Sequence, residues 1–192
     1  LDDGSINYKE IEARITDRTK MIGIQRSKGY ANRPSFSISQ IEEMVRFVKE
    51  IKPDVVVFVD NCYGEFTEEL EPTDVGVDLM AGSLIKNPGG GLAKTGGYIV
   101  GRSDLVELCA NRLAAPGLGK EAGATLYSLQ EMFQGFFLAP HVVGEALKGA
   151  LFTSCLLEKC GFVTNPSYTE HRSLFPKLPL NSKFNSKCNI SD

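Results

Sequence analysis

The sequence lacks a C-x-x-C pair, an excess of basic charge and any apolar run approaching a membrane span. Each absence closes a class of function. Five cysteines (Cys62, Cys109, Cys155, Cys160 and Cys188) are an odd number at irregular spacings. That pattern fits neither a disulfide framework nor a zinc site, and points to reduced thiols in a reducing, cytoplasm-like compartment. Lys and Arg total 21 against 24 Asp and Glu, a formal net charge of -3, so the basic face of a nucleic-acid reader is missing. The longest candidate for a membrane segment, residues 55–59, is only strand-sized, which argues against a membrane protein. No internal repeat is visible. The chain starts at Leu1 without a basic-then-apolar leader, so its natural start is expected to lie upstream and targeting is not legible.

What remains is an ordinary globular composition. Of 192 residues, 42% are hydrophobic and 23% charged, enough for one domain with a core and short for a two-domain enzyme. Short apolar runs alternate with amphipathic stretches, the rhythm of βα units. Residues 21–25 (MIGIQ) read as a strand. Ser39 and Glu42 form a capping-box pattern, after which Ile41, Met44, Val45 and Val48 share a helical face that ends near Pro53. Val55 to Val59 form a continuous apolar strand of the kind buried on both faces of a parallel sheet. Residues 77–84 and 96–101 predict two more strands. Two helices are expected next, one over residues 124–137 and a second carrying Pro140 in its first turn and stopping at Gly161. From about residue 166 to 192 the chain is rich in Ser, Asn, Lys and Pro without a period, and reads as an irregular, poorly ordered tail.

In open α/β sheets ligands bind at the carboxyl ends of the strands. Three polar clusters fall at such ends: Gln25-Arg26-Ser27, Asp60-Asn61-Cys62-Tyr63, and Ser83 to Lys86 followed by Asn87-Pro88-Gly89-Gly90-Gly91. Asp60 ends an apolar strand and loses hydration there, so it needs a partner. A protonated cofactor ring nitrogen would serve, and so would the amides of its own loop. Lys86 precedes three glycines that allow close backbone approach and exposed N–H groups. It suits a phosphate-binding charge, a Schiff-base amine whose pKa burial would lower, or a solvated lysine on a turn. Ser83 either hydrogen-bonds a phosphate or ends its strand. A nucleotide-binding P-loop ending in Lys94-Thr95 is a rival reading, but Ala93 and Pro88 occupy its two glycine positions and a strand follows it in place of a helix.

Other residues carry less. His141 and His171 have no metal-site or triad spacing. Glu65, Glu68, Glu69 and Glu71 read as a solvated acidic loop. Cys62 is either reactive or a small buried thiol. Arg26 holds a substrate carboxylate or pairs with an acidic neighbour.

The segments VDNCYGEF and GSLIKNPGGGLAKTGGYI resemble the pyridoxal 5'-phosphate (PLP) family of methionine gamma-lyase-like, cystathionine beta-lyase-like or aluminium-resistance proteins. IQRSKGY, RLAAPGLG and FQGFFLAPHVVGEALKGA resemble it too, so the likeness runs from about residue 21 to 161. It implies the aminotransferase-like fold type I, an α/β/α three-layer large domain around a mostly parallel sheet. The chain would hold an incomplete copy, with residues 1–165 as part of the PLP-binding domain and 166–192 departing from the pattern. By resemblance Lys86 matches the lysine that forms a Schiff base with PLP. Asp60, 26 positions earlier, matches the aspartate that pairs with the pyridine nitrogen. Ser83 matches a serine that helps bind the phosphate, while Ile85 stands where related carbon–sulfur lyases often carry threonine. The resemblance further implies elimination from a small sulfur amino acid and a homo-oligomer. Family members are about twice as long, so an inactive fragment that acts through dimerisation is the alternative.

Overall fold

Two runs of β-branched residues found the sheet. β1 (Met21–Gln25) and β2 (Val56–Asp60) pair in parallel, with Met21 opposite Val56 and Gln25 opposite Asp60. Between them α2 (Ile38–Ile51) makes the crossover, burying Ile38, Ile41, Met44, Val45 and Val48. The computed structural model describes residues 5–29, 33–114, 117–121, 123, 125 and 127–170. β3 (Leu79–Ser83) joins β2 in parallel and β4 (Gly97–Gly101) closes the sheet antiparallel to β3, giving the order β1-β2-β3-β4. The expected α/β class with a mostly parallel sheet is what the chain adopts. Before the sheet lies α1 (Tyr8–Arg14), and after it come α3 (Ser103–Leu113) and α4 (Leu129–Lys159).

The core sits between α2 and one face of the sheet. Ile41, Val55, Val57 and Val59 are 0% exposed there, and Tyr8 of α1 packs edge-on against Phe47 of α2 with ring centroids 4.7 Å apart. The other face is thinner. Val56, Phe58 and Asp60 are only half-buried, so the expected burial on both faces holds for one face among the described residues.

Four local expectations change. The capping box is Ser37 with Gln40, two residues upstream of Ser39 and Glu42: Ser37 Oγ accepts from Gln40 N at 3.2 Å and Ser37 N donates to Gln40 Oε1 at 3.0 Å. The serine spacing is ambiguous in this segment, and Ile38 entering the core decides it. Residues 129–159 form one helix, where two were expected. Gly135, Ala139 and Val143 continue a buried stripe straight past Pro140. Pro140 itself lies on the exposed side of the helix, where the missing N–H costs least because solvent can hydrate the backbone. α1 and α3 were not foreseen, because α3 buries no residue and exposes Leu108 and Leu113. Residues 166–170 of the expected tail are tied to α4, with Ser167 Oγ donating to Glu158 Oε2 at 3.1 Å. His171, Cys188 and the rest of that tail lie outside the described residues.

Among the described residues no helix is long and apolar enough to cross a membrane, and no disulfide links Cys62, Cys109, Cys155 and Cys160.

Candidate active site

The parallel register delivers all three polar clusters to one edge. Asp60 is the last residue of β2, flanked by Gln25 of β1 and Ala81 of β3, and Ser83 is the last residue of β3. By strand alternation the Asp60 side chain leaves on the face of Phe58, away from the α2 core. Its Oδ1 accepts from Cys62 N at 3.1 Å. The turn after Ser83 is tight: Ser83 Oγ accepts from Ile85 N at 3.3 Å and Ser83 O from Lys86 N at 3.2 Å. Ile85 points out, 60% exposed, while Lys86 folds back so that Nζ lies 4.6 Å from the centre of the Tyr63 ring.

Electrostatics confirm one cluster. Burial pushes the Cys62 thiol up, with Asp60 adding to the rise and Lys86 and the Ser83 backbone opposing it. Burial acts to lower Lys86, but Cys62, Tyr63 and Asp60 outweigh it and its pKa is raised. The lowering that a Schiff-base amine would need is thus not what these neighbours produce: Cys62, Tyr63 and Asp60 favour the ammonium.

The three glycines also work differently from expectation. Gly89 N and Gly90 N donate to Lys86 O and Asn87 O, so two of the three glycine amides are spent inside the turn and are not offered to an anion. Close packing explains the run. A Cβ on Gly90, whose φ is +55°, would lie 2.3 Å from Gly135 O, and one on Gly135 would lie 2.1 Å from Gly89 O. Glycine on both sides lets α4 press directly on the lysine turn. The P-loop reading fails as well, since Lys94 is exposed, pairs with Glu131 and is followed by β4.

Behind the cluster stands a buried polar network that the sequence did not reveal. Arg26, 2% exposed, donates through Nη1 to Asn61 Oδ1 at 2.8 Å and through Nη2 to Glu68 Oε1 at 2.7 Å. Its acidic-neighbour reading is the one the structure selects. Asn61 Nδ2 donates to Glu71 Oε2 at 2.9 Å, and Tyr98 OH donates to Glu65 Oε1 at 2.8 Å. Glu68 also caps α2 by accepting from Ile38 N at 3.0 Å. Glu65, Glu68 and Glu71 thus form an internal scaffold, which corrects their reading as a solvated loop; only Glu69 stays exposed. Burial pushes the Glu65 carboxyl up to about 7 despite Tyr98, and its Oε2 has no protein partner among the described residues. Burial and Glu65 together raise the Tyr98 phenol well above its ordinary value. Asn87, next to Lys86, donates to Glu65 O at 3.0 Å, so this scaffold fixes the lysine turn. Glutamates spaced like a surface loop carry no signal of this; only a paired Arg at the end of β1 hints at it.

His141 is exposed on α4, and among the described residues no group of three His, Cys, Asp or Glu could hold a metal.

A mostly parallel sheet flanked by helices is the large-domain architecture shared with fold-type-I PLP enzymes. The chain belongs to the methionine gamma-lyase family, whose family model matches residues 1–183. It is 67% identical over 171 residues to the uncharacterized protein YnbB of Bacillus subtilis (strain 168), covering 89% of this chain and 41% of that protein. The crystal structure of a Listeria innocua protein involved in aluminum resistance superposes with TM-score 0.89 at 61% identity, over 92% of this chain and 43% of that one. A carbon-sulfur lyase involved in aluminum resistance from Clostridium novyi NT gives TM-score 0.83 at 48% identity, over 90% of this chain and 41% of that one. The chain therefore spans about two-fifths of the length of these relatives, within a carbon–sulfur lyase-like family.

Proposed function

We propose that this chain is the cofactor-binding part of a PLP-dependent lyase that eliminates a sulfur group from the β or γ carbon of a small amino acid. The observation that carries the reading is the convergence of Asp60, Ser83 and Lys86 at the carboxyl edge of β2 and β3. The donor set suits PLP at both ends of the ring: a carboxylate for a protonated nitrogen, an amine for an aldehyde. At the phosphate end Ser83 supplies a hydroxyl, while the Gly89 and Gly90 amides are spent within their turn. Bound PLP supplies an electron sink for the pair left when a proton leaves the amino acid's Cα.

Asp60 would hold a proton on the ring nitrogen, with Cys62 N keeping its carboxylate oriented. Lys86 would hold the aldehyde end through Nζ and, as a free amine, would take the Cα proton. Ser83 Oγ accepts from Ile85 N and retains its own hydrogen to donate to a phosphate oxygen. Asn87 and the Gly89–Gly135 contact keep the lysine turn in place throughout.

Borohydride reduction in the presence of PLP tests the assignment. A pyridoxyl mass on the Lys86 peptide is the expected result; label on other lysines alone overturns it.

A second reading is a chain without catalysis of its own that associates with a second copy or a longer relative. The exposed aromatic row Phe133, Phe137 and Phe152 on α4, at 71%, 83% and 69% exposure, supports it. Analytical ultracentrifugation together with the PLP titration separates the two readings. Self-association without cofactor uptake favours the second, and uptake favours the first.

A further inference from the structure

Tyr63 is the one residue of the Asp60–Lys86 cluster with no role in the reading above. Two observations single it out. Its backbone has φ +67°, a conformation that bulky residues rarely adopt. In the turn after β2 its ring lies against Lys86, whose Nζ is 4.6 Å from the ring centre. A ring face at this distance attracts a cation through its quadrupole.

We propose that Tyr63 is a positioning residue for Lys86, its ring face receiving the ammonium whenever Nζ is not covalently engaged and holding it beside Asp60. The proposal deepens the PLP reading, on which the covalent engagement of Lys86 rests; the contact between Lys86 and the Tyr63 ring does not depend on it. Three groups face Nζ: Asp60 from the end of β2, and Cys62 and Tyr63 from the loop that follows. Asp60 attracts the ammonium by charge, and the Cys62 side chain contributes a hydrogen bond. The Tyr63 ring adds the face over which Nζ rests. A lysine that must leave a cofactor, take a proton and return gains from a resting place a few ångströms from its point of attachment.

The test reads the protonation of Lys86 directly, without PLP. Brief acetic anhydride labelling of the full chain across pH 8 to about 12, with peptide masses, gives a titration midpoint for each lysine; this pH span covers ordinary lysine values. Exposed Lys94 serves as the internal reference. Tyr63→Phe keeps the ring. Tyr63→Asn removes it but tolerates the positive φ, and Tyr63→Leu removes it by a different substitution, so that one of the two ringless chains remains usable if the other misfolds. The expected result is a clearly lower midpoint in the ringless chains than in Tyr63→Phe, with about two- to fivefold more free Lys86 amine at a fixed pH; Tyr63→Phe lacks only the phenol charge that adds to the rise in Lys86, so the difference between it and the ringless chains is the ring's own share. Lys94 stays unchanged. A Lys86 midpoint that the ringless variants do not move, or that Tyr63→Phe moves equally, overturns the proposal. Failure of the PLP reading would show as absent cofactor uptake while these midpoints still shifted, so the two can fail separately.

Discussion

The two ends of the sheet treat their carboxylates in opposite ways. At the amino end of β3, Asp78 is saturated: Lys49 Nζ at 2.6 Å and Val57 N at 2.8 Å donate to Oδ2, and Arg102 Nη1 at 3.2 Å donates to Oδ1. Burial acts to raise its pKa, but Lys49, the Val57 amide and Arg102 together hold it below the ordinary carboxylate range. At the carboxyl end, Asp60 accepts one backbone bond from Cys62 and shares Lys86 with Cys62 and Tyr63. A carboxylate committed to three donors, two of them cations, is a fastener. One that shares a single cation with its neighbours can exchange that partner for a ligand, which is what a binding site requires.

The contrast breaks most severely where α4 seats the lysine turn. Gly135→Ala should cost at least about 3 kcal/mol in urea unfolding, because its Cβ would meet Gly89 O. Glycine to alanine inside a helix ordinarily gains about 1 kcal/mol, so an unchanged or raised midpoint would refute the close approach. Asp78→Ala should cost about 3 kcal/mol, since it strands Lys49 and the buried Val57 amide, yet leave the PLP affinity of the folded chain alone. A loss of affinity without a loss of stability would reverse the assignment of the two ends.

Glu65 sharpens the comparison through pH. Its folded value of about 7 lies above its ordinary 4.5, so between these limits the folded carboxyl keeps a proton that the unfolded chain has released. The folded state accordingly loses stability as pH rises from about 4.5 to 7, by up to about 3 kcal/mol. Denaturation of Glu65→Gln across that window should lack this slope; parallel curves for the two chains would contradict the buried, protonated carboxyl. Asp60→Ala should have the smallest effect on stability, under about 1 kcal/mol, while weakening PLP binding at least about tenfold. A large stability loss with intact PLP binding would make Asp60 a second fastener.

The sheet was legible because its strands are apolar pentads bounded by polar or glycine-rich turns, and β1 and β4 fall where residues 21–25 and 96–101 predict them. The convergence of Asp60, Ser83 and Lys86 was legible for the same reason, once they are read as strand ends. Pro140 misled because a proline reads as a helix start, whereas the buried stripe of Gly135, Ala139 and Val143 carries α4 past it. The glycine run looked like an anion cradle because sequence does not say which helix approaches it; Gly135 lies 44 positions beyond Gly91. Glu65, Glu68 and Glu71 looked solvated because their partners, Arg26 and Tyr98, come from other strands. Local pattern found the elements, and long-range pairing decided what the polar residues between them do.

The most direct test of the account is a PLP titration of the purified chain followed by near-ultraviolet and visible absorbance, with Lys86→Ala as control. A saturable band that disappears in the variant is the predicted result, and would place a competent cofactor pocket at the carboxyl end of β2 and β3. No saturable band, or one that survives in Lys86→Ala, would contradict it.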